Sequence, residues 1–114
     1  SNHGGRQLDA VPPPLAQLPA IRAAVGPHIP LIVDSGIMSG LDVVRALSSG
    51  ADFVLIGRGF LYAVAALGDK GGEHAAAILL EEVRDVMAQL GLETIDDVKK
   101  CAPRRRASLY RRFR

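Results

Sequence analysis

Two side chains near the start of the chain have the types and spacing to work on a small carboxylic acid. His3 and Arg6 stand three residues apart in the glycine-rich stretch Asn2-His3-Gly4-Gly5-Arg6-Gln7. An imidazole titrates near neutrality and accepts a proton there. An arginine fork fits a carboxylate. Held together, the two would anchor an acid by its carboxylate and deprotonate it. The competing reading is two solvated polar side chains in a loop, which is the commoner case. Further along, Asp34-Ser35-Gly36 and Gly57-Arg58-Gly59 each follow a short apolar run. Glycines at strand ends let backbone N–H groups approach an anion, a helix start adds partial positive charge, and Arg58 can grip a phosphate. The competing reading of these glycines is tight turns alone. His28, between two prolines' neighbourhoods, and His74, at a helix start, are assigned no chemistry.

The elements that would position these residues follow from periodicity. Pro12-Pro13-Pro14 is a stiff extended connector. Leu15, Leu18, Ile21, Ala24 and Val25 have helical spacing, and Gly26-Pro27 stops that helix. Pro19 is tolerated only near its start. Pro30–Asp34 and Phe53–Ile56 read as buried strands. Between them, Leu41–Leu47 reads as a helix ending at Ser49-Gly50. Phe60–Leu67 reads as a short helix, residues 68–72 as a break, and Glu73–Leu90 as the longest helix. Its inner face is expected to hold Ala76, Leu79, Leu80, Val83, Val86, Met87 and Leu90. Thr94-Ile95-Asp96-Asp97 reads as a helix cap. Apolar strands alternating with amphipathic helices predict parallel β/α units. In such folds the carboxyl ends of the strands form the ligand face. Two strands cannot close a parallel sheet, so further strands are expected beside them.

Composition narrows the class. With 114 residues, 48% hydrophobic and 23% charged, the chain suits one compact core and excludes a large multidomain enzyme within it. Aromatic residues are 4% and tryptophan is absent, which argues against a base-stacking module, so no nucleic-acid partner is expected. The single Cys101 cannot form an internal disulfide or a multi-cysteine zinc site, and no metal is expected. No apolar run approaches the ~20 residues of a spanning helix, and no secretory signal is visible. A cytoplasmic location is expected, with peripheral contact to the inner membrane left open. The net charge of +2 is uneven: Arg104–Arg114 holds six arginines and no acid, leaving a mildly acidic body. Such a tail could meet nucleic acid, anionic lipid or an acidic surface, or simply be solvated.

Taken together, three motifs resemble the FMN-dependent α-hydroxy acid dehydrogenase/oxidase family, of the L-lactate dehydrogenase, lactate oxidase and glycolate oxidase type. They are Ser1-Asn2-His3-Gly4-Gly5-Arg6-Gln7-Leu8-Asp9, Asp34-Ser35-Gly36-Ile37-Met38-Ser39-Gly40-Leu41-Asp42-Val43, and Gly57-Arg58. The likeness runs in order to about Leu90. It implies an α/β fold, the C-terminal third of a TIM (β/α)8 barrel, incomplete as a single chain. Residues 1–101 would be the final β/α units and 102–114 a basic C-terminal tail. It implies FMN as cofactor and oxidation of a small, lactate-like L-2-hydroxy acid to the 2-oxo acid. His3 would be the catalytic base and Arg6 the partner of the substrate carboxylate. Asp34, Ser35 and Gly36 would lie along the ribityl chain and phosphate of FMN, and Gly57 and Arg58 would bind that phosphate. The partners implied are the substrate, the N-terminal part of the barrel, and further copies, as in the family's tetramers.

There are two departures. Met38 stands where the family's Asp-x-Gly-x-Arg-x-Gly has an arginine on the FMN phosphate, which implies weaker flavin retention. The family's substrate-side tyrosines, its histidine-orienting aspartate and its flavin-side lysine precede this segment. The chain by itself is therefore expected to be inactive. Two other readings remain open: a non-catalytic β/α module that self-associates through its strand edges, and another FMN- or phosphate-binding TIM barrel such as a type 2 isopentenyl-diphosphate isomerase.

Overall fold

The structure is a computed structural model that describes residues 1–8 and 10–101, with Arg6 described in its backbone only. The basic tail and Asp9 lie outside the described residues. A 3-10 turn at His3–Arg6 opens the chain. It is followed by α1 (Pro14–Val25), β1 (Ile32–Asp34), α2 (Gly40–Ser48), β2 (Phe53–Leu55), α3 (Arg58–Leu67), α4 (Gly71–Gln89) and α5 (Ile95–Lys100). Among the described residues no helix is long and apolar enough to cross a membrane.

Local chemistry explains the boundaries. Pro13 is extended (φ −56°, ψ 140°) and Pro14 occupies the first helical position of α1, where its missing N–H costs nothing. Pro19 lies inside α1 rather than at its start, so one helical hydrogen bond is forgone on an exposed face. Gly26, at φ 75°, ends the helix. Ser39 caps α2 by accepting the Asp42 N–H. Thr94 and Asp97 form a reciprocal capping box at α5, as the sequence predicts. Several boundaries differ from expectation. The strands are shorter, starting at Ile32 and ending at Leu55. The break at residues 68–72 is a 3-10 turn, Gly68–Lys70, and α4 already starts at Gly71. Helix α3 begins at Arg58, not Phe60, so Arg58 and Gly59 belong to its first turn.

β1 and β2 pair in parallel, Ile32 with Phe53, Val33 with Val54 and Asp34 with Leu55. Side chains alternate across a sheet, so each strand has two faces. Val33 turns toward the helices and joins Leu18, Ile37, Ala46 and Ala51 in a buried cluster with Val54 against it. Ile32, Phe53 and Leu55 turn the other way and are exposed by 57%, 65% and 54%. The strands are therefore buried on one face only. The expectation of two fully buried strands is corrected: a two-stranded sheet has no second layer over its other face.

A second cluster joins Val44 and Leu47 of α2 to Val98 of α5, with Val83, Val86 and Met87 of α4 packed on it. Leu80 and Leu90, expected inside, are exposed, while Ala75 is buried. The close approach of α2 to α4 depends on Gly40. A Cβ there would collide with the backbone of Val83 and Glu82.

The amino ends of the strands are clamped by Arg22, Asp52 and Lys99. Arg22 donates to Asp52 Oδ2 (2.5 Å) and to the carbonyls of Gly50, Gly26 and Ile29. Asp52 also accepts from the Leu31 N–H (2.9 Å) and from Lys99 (3.2 Å). The Leu31 N–H, with Lys99 and Arg22, holds the Asp52 carboxyl at about 2, against the opposing effect of burial. A carboxyl depressed in the folded state stabilises the fold fully above its unfolded value near 3.8 and loses that contribution as pH falls toward about 2. Asp52→Asn is accordingly expected to cost about 1–3 kcal/mol near neutrality. Urea unfolding should show the gap to the unsubstituted protein closing as pH is lowered through that window.

Candidate functional site

The carboxyl ends of the two strands carry the predicted residues. After Asp34 the chain turns sharply through Ser35 (φ 88°) and Gly36 (φ 83°). The turn leads to the cap of α2. Directly beside it, β2 runs through Ile56 and Gly57 into α3. The parallel register sets these two exits side by side.

The opening segment docks on the first exit. The Asn2 N–H donates to Ser35 Oγ (3.2 Å), and His3 Nδ1 lies 3.1 Å from Asp34 Oδ2. Ser1 Oγ accepts the His3 N–H (3.1 Å) and also approaches Nδ1. His3 remains open: its side chain is 75% exposed, and that of Asp34 is 25% exposed. The structure thus brings together His3, Asp34 and Ser35. Gly57 and Arg58 stand at the adjoining exit. Arg6 sits at the end of the same 3-10 turn as His3, and its side chain lies outside the described residues. The stretch holding His3 is a turn of 3-10 helix rather than open loop.

The two helix starts differ as anion sites. At α2 the first turn is already served by carboxylates. The Gly40 N–H donates to Glu82 Oε2 (2.6 Å), and Asp42 Oδ2 accepts from the Met38 N–H (3.2 Å) and the Ser39 hydroxyl (2.9 Å). At α3, among the described residues, no side chain caps the first turn, no acid stands in it, and Arg58 is exposed. The free N–H groups of that turn and the guanidinium suit a phosphate.

The glycines separate in the same way. Gly36 has a left-handed φ that demands glycine. Gly57 has φ −92°, and a Cβ there would meet nothing within 4 Å. The described fold does not itself require glycine at 57. The missing side chain leaves room at the start of α3.

Glu82, the Asp34–His3 pairing and the clamp at Asp52 were not predicted. The pattern Ser39-x-x-Asp42 is a local signal for the α2 cap. Glu82 reaches Gly40 across 42 residues of chain and has no local signal.

Residues 1–104 match the family described as FMN-dependent dehydrogenase. The chain belongs to that family. It is 48% identical over 98 residues to an L-lactate dehydrogenase of Bartonella tribocorum, covering 86% of this chain and 26% of that protein. It is also 48% identical over 98 residues to an L-lactate oxidase of Alicycliphilus denitrificans, covering 86% and 27%. Among solved structures it resembles mandelate oxidase with 3,3-difluoro-2-hydroxy-3-phenylpropionic acid, at TM-score 0.81 and 44% identity, over 88% of this chain and 30% of that one. The chain thus spans about a quarter of the length of the relatives it matches. The expected fold stands: this is part of the family's β/α barrel. The bare strand face of Ile32, Phe53 and Leu55 is what a barrel fragment should show, because inward side chains are covered only when the other strands are present.

The residues present fit the family's flavin. The open, acid-free start of α3 with Arg58 suits its phosphate. The Asp34 carboxylate and Ser35 hydroxyl, at the neighbouring strand end, suit the hydroxyls of its ribityl chain.

Proposed function

We propose that this chain carries the base and the phosphate grip of a flavoenzyme that oxidises a small, lactate-like L-2-hydroxy acid to the 2-oxo acid, with FMN as electron acceptor. The observation that carries the reading is the placement of the His3 imidazole, seated on Asp34, at the strand end adjoining Gly57 and Arg58. The names of the relatives, lactate dehydrogenase and lactate oxidase, support the substrate class. The remainder of the barrel belongs over the exposed strand face, and association into a homo-oligomer is part of the proposal.

In this reading the substrate carboxylate pairs with Arg6, which orients the acid. His3 accepts a proton from the substrate through its free ring nitrogen. Asp34, on the other nitrogen, stabilises the imidazolium that results. Bound FMN supplies the two-electron sink that amino-acid side chains lack. Asp34, Ser35, Gly36, Gly57 and Arg58 would hold it, with Arg58 and the first turn of α3 on its phosphate.

Met38 is 45% exposed at the neighbouring helix start and offers the phosphate no charge. Met38→Arg is expected to tighten FMN binding about tenfold, the low end for a charged hydrogen bond, because Asp42 competes for the new guanidinium. Flavin fluorescence quenching measures this, and unchanged affinity would count against a phosphate near this loop.

The activity itself is tested with the chain co-expressed with the part of the Bartonella tribocorum relative that it does not match. Under anaerobic conditions L-lactate is expected to bleach the flavin band of the assembled protein, and D-lactate is not. A yellow assembly that no 2-hydroxy acid bleaches would refute the proposal.

A further inference from the structure

Two carboxylates from different parts of the chain stand at the start of α2. Asp42 belongs to the helix's own cap. It takes the Met38 N–H and the Ser39 hydroxyl on one oxygen, and Arg45 Nη1 lies 3.7 Å from the other. Glu82 comes from α4 and is no part of that cap. Its Oε2 accepts the Gly40 N–H at 2.6 Å, a short charge-assisted bond. Among the described residues no basic side chain pairs with Glu82. Packing fixes where this acid stands. A Cβ on Gly40 would collide with the Glu82 side chain and with the backbone of Glu82 and Val83, so α2 lies directly on this turn of α4. Val83, Val86 and Met87 pack the same helix onto Val44 and Leu47 of α2. The backbone that carries the carboxylate is therefore held at the start of α2.

A helix start ordinarily offers an anion partial positive charge and unpaired N–H groups. Here Glu82 takes the Gly40 donor and adds a full negative charge. Among the described residues one cation, Arg45, stands against the two acids, and Met38 adds none. The start of α2 is therefore negative. The start of α3, at the adjoining strand exit, has Arg58 and no acid in its first turn. A phosphate at these two exits is repelled by one helix start and attracted by the other.

We infer that Glu82 positions the flavin phosphate: its carboxylate keeps the phosphate off the start of α2 and confines it to the start of α3. The inference rests on the proposed phosphate site. The effect falls on the phosphate alone, since riboflavin carries no charge for the carboxylate to repel. The same hydrogen bond that ties α4 to α2 thus lowers the affinity for FMN.

The test is paired titration of the assembled barrel with FMN and with riboflavin, followed by flavin fluorescence. In Glu82→Gln the amide oxygen still accepts the Gly40 N–H, so the charge alone is lost. Its FMN dissociation constant is expected to fall about two- to fivefold, the span of one partly exposed charge interaction, with riboflavin binding unchanged. The ratio of the two constants is the readout, because a purely structural role moves both flavins together. Glu82→Ala also frees the N–H and should shift the ratio in the same direction; it decides the matter if Glu82→Gln does not fold. A ratio that is unchanged in either folded variant, or shifted toward riboflavin, overturns the inference. If the unsubstituted protein still prefers FMN in that case, the proposed phosphate site stands without Glu82. Equal affinities for the two flavins in the unsubstituted protein would remove the phosphate site itself, and the inference with it.

Discussion

Replacing His3 by Gln in the assembled barrel is expected to lower the rate of flavin bleaching by L-lactate by about 10²–10⁴-fold, the span that a positioned general base contributes. Glutamine keeps much of the bulk and a hydrogen-bonding end but has no basic nitrogen, so substrate affinity and flavin content should change little. The size of the effect follows from the site. The imidazole is exposed, and its Nδ1 is engaged by Asp34, so one nitrogen alone is left to take a proton. Anaerobic stopped-flow at the flavin band measures the step. A rate within about tenfold of the unsubstituted protein would remove His3 from the role of base.

The second large effect is on cofactor binding. Arg58→Ala is expected to raise the FMN dissociation constant by about 10- to 150-fold, the loss of a charged hydrogen bond of roughly 1.5–3 kcal/mol. Two helix starts, those of α2 and α3, stand where the phosphate could bind. At α2, Glu82 and Asp42 already occupy the N–H groups, and Met38 contributes no cation. At α3, among the described residues, no acid and no cap compete, and the open space at Gly57 lets an anion approach. Met38 stands where the family pattern implies an arginine, so in the proposed site Arg58 is the cation expected on the phosphate. Equilibrium titration followed by flavin fluorescence checks the change.

Much of this was legible in the sequence because it is encoded locally. Apolar runs of β-branched residues between helical periodicities mark β/α units without any tertiary information. Gly26 stops its helix and Thr94 caps the next because φ and side-chain hydrogen bonds are properties of neighbouring residues. The general rule for strand ends singles out Asp34 and Arg58 as residues at the exits of the two strands, and the structure has them there. Other features depend on distant contacts. The strands Pro30–Asp34 and Phe53–Ile56 read as buried because apolar runs report the layers a complete barrel provides, whereas this chain covers one face. Gly57-Arg58-Gly59 reads as a loop, since glycines depress helix propensity. In the fold, Arg58 and Gly59 nonetheless form the first turn of α3. The Glu82–Gly40 and Arg22–Asp52–Lys99 contacts join residues tens of positions apart, and nothing in their immediate neighbours announces them.

In the proposed site the start of α3 grips the phosphate of the flavin, at the strand end next to the one that seats His3. Paired titrations of the assembled protein with FMN and with riboflavin, which lacks only that phosphate, test it most directly. The unsubstituted protein is expected to bind FMN far more tightly than riboflavin, and Arg58→Ala to remove most of that preference by weakening FMN alone. Equal affinities for the two flavins in the unsubstituted protein, or a preference that survives Arg58→Ala intact, would contradict it.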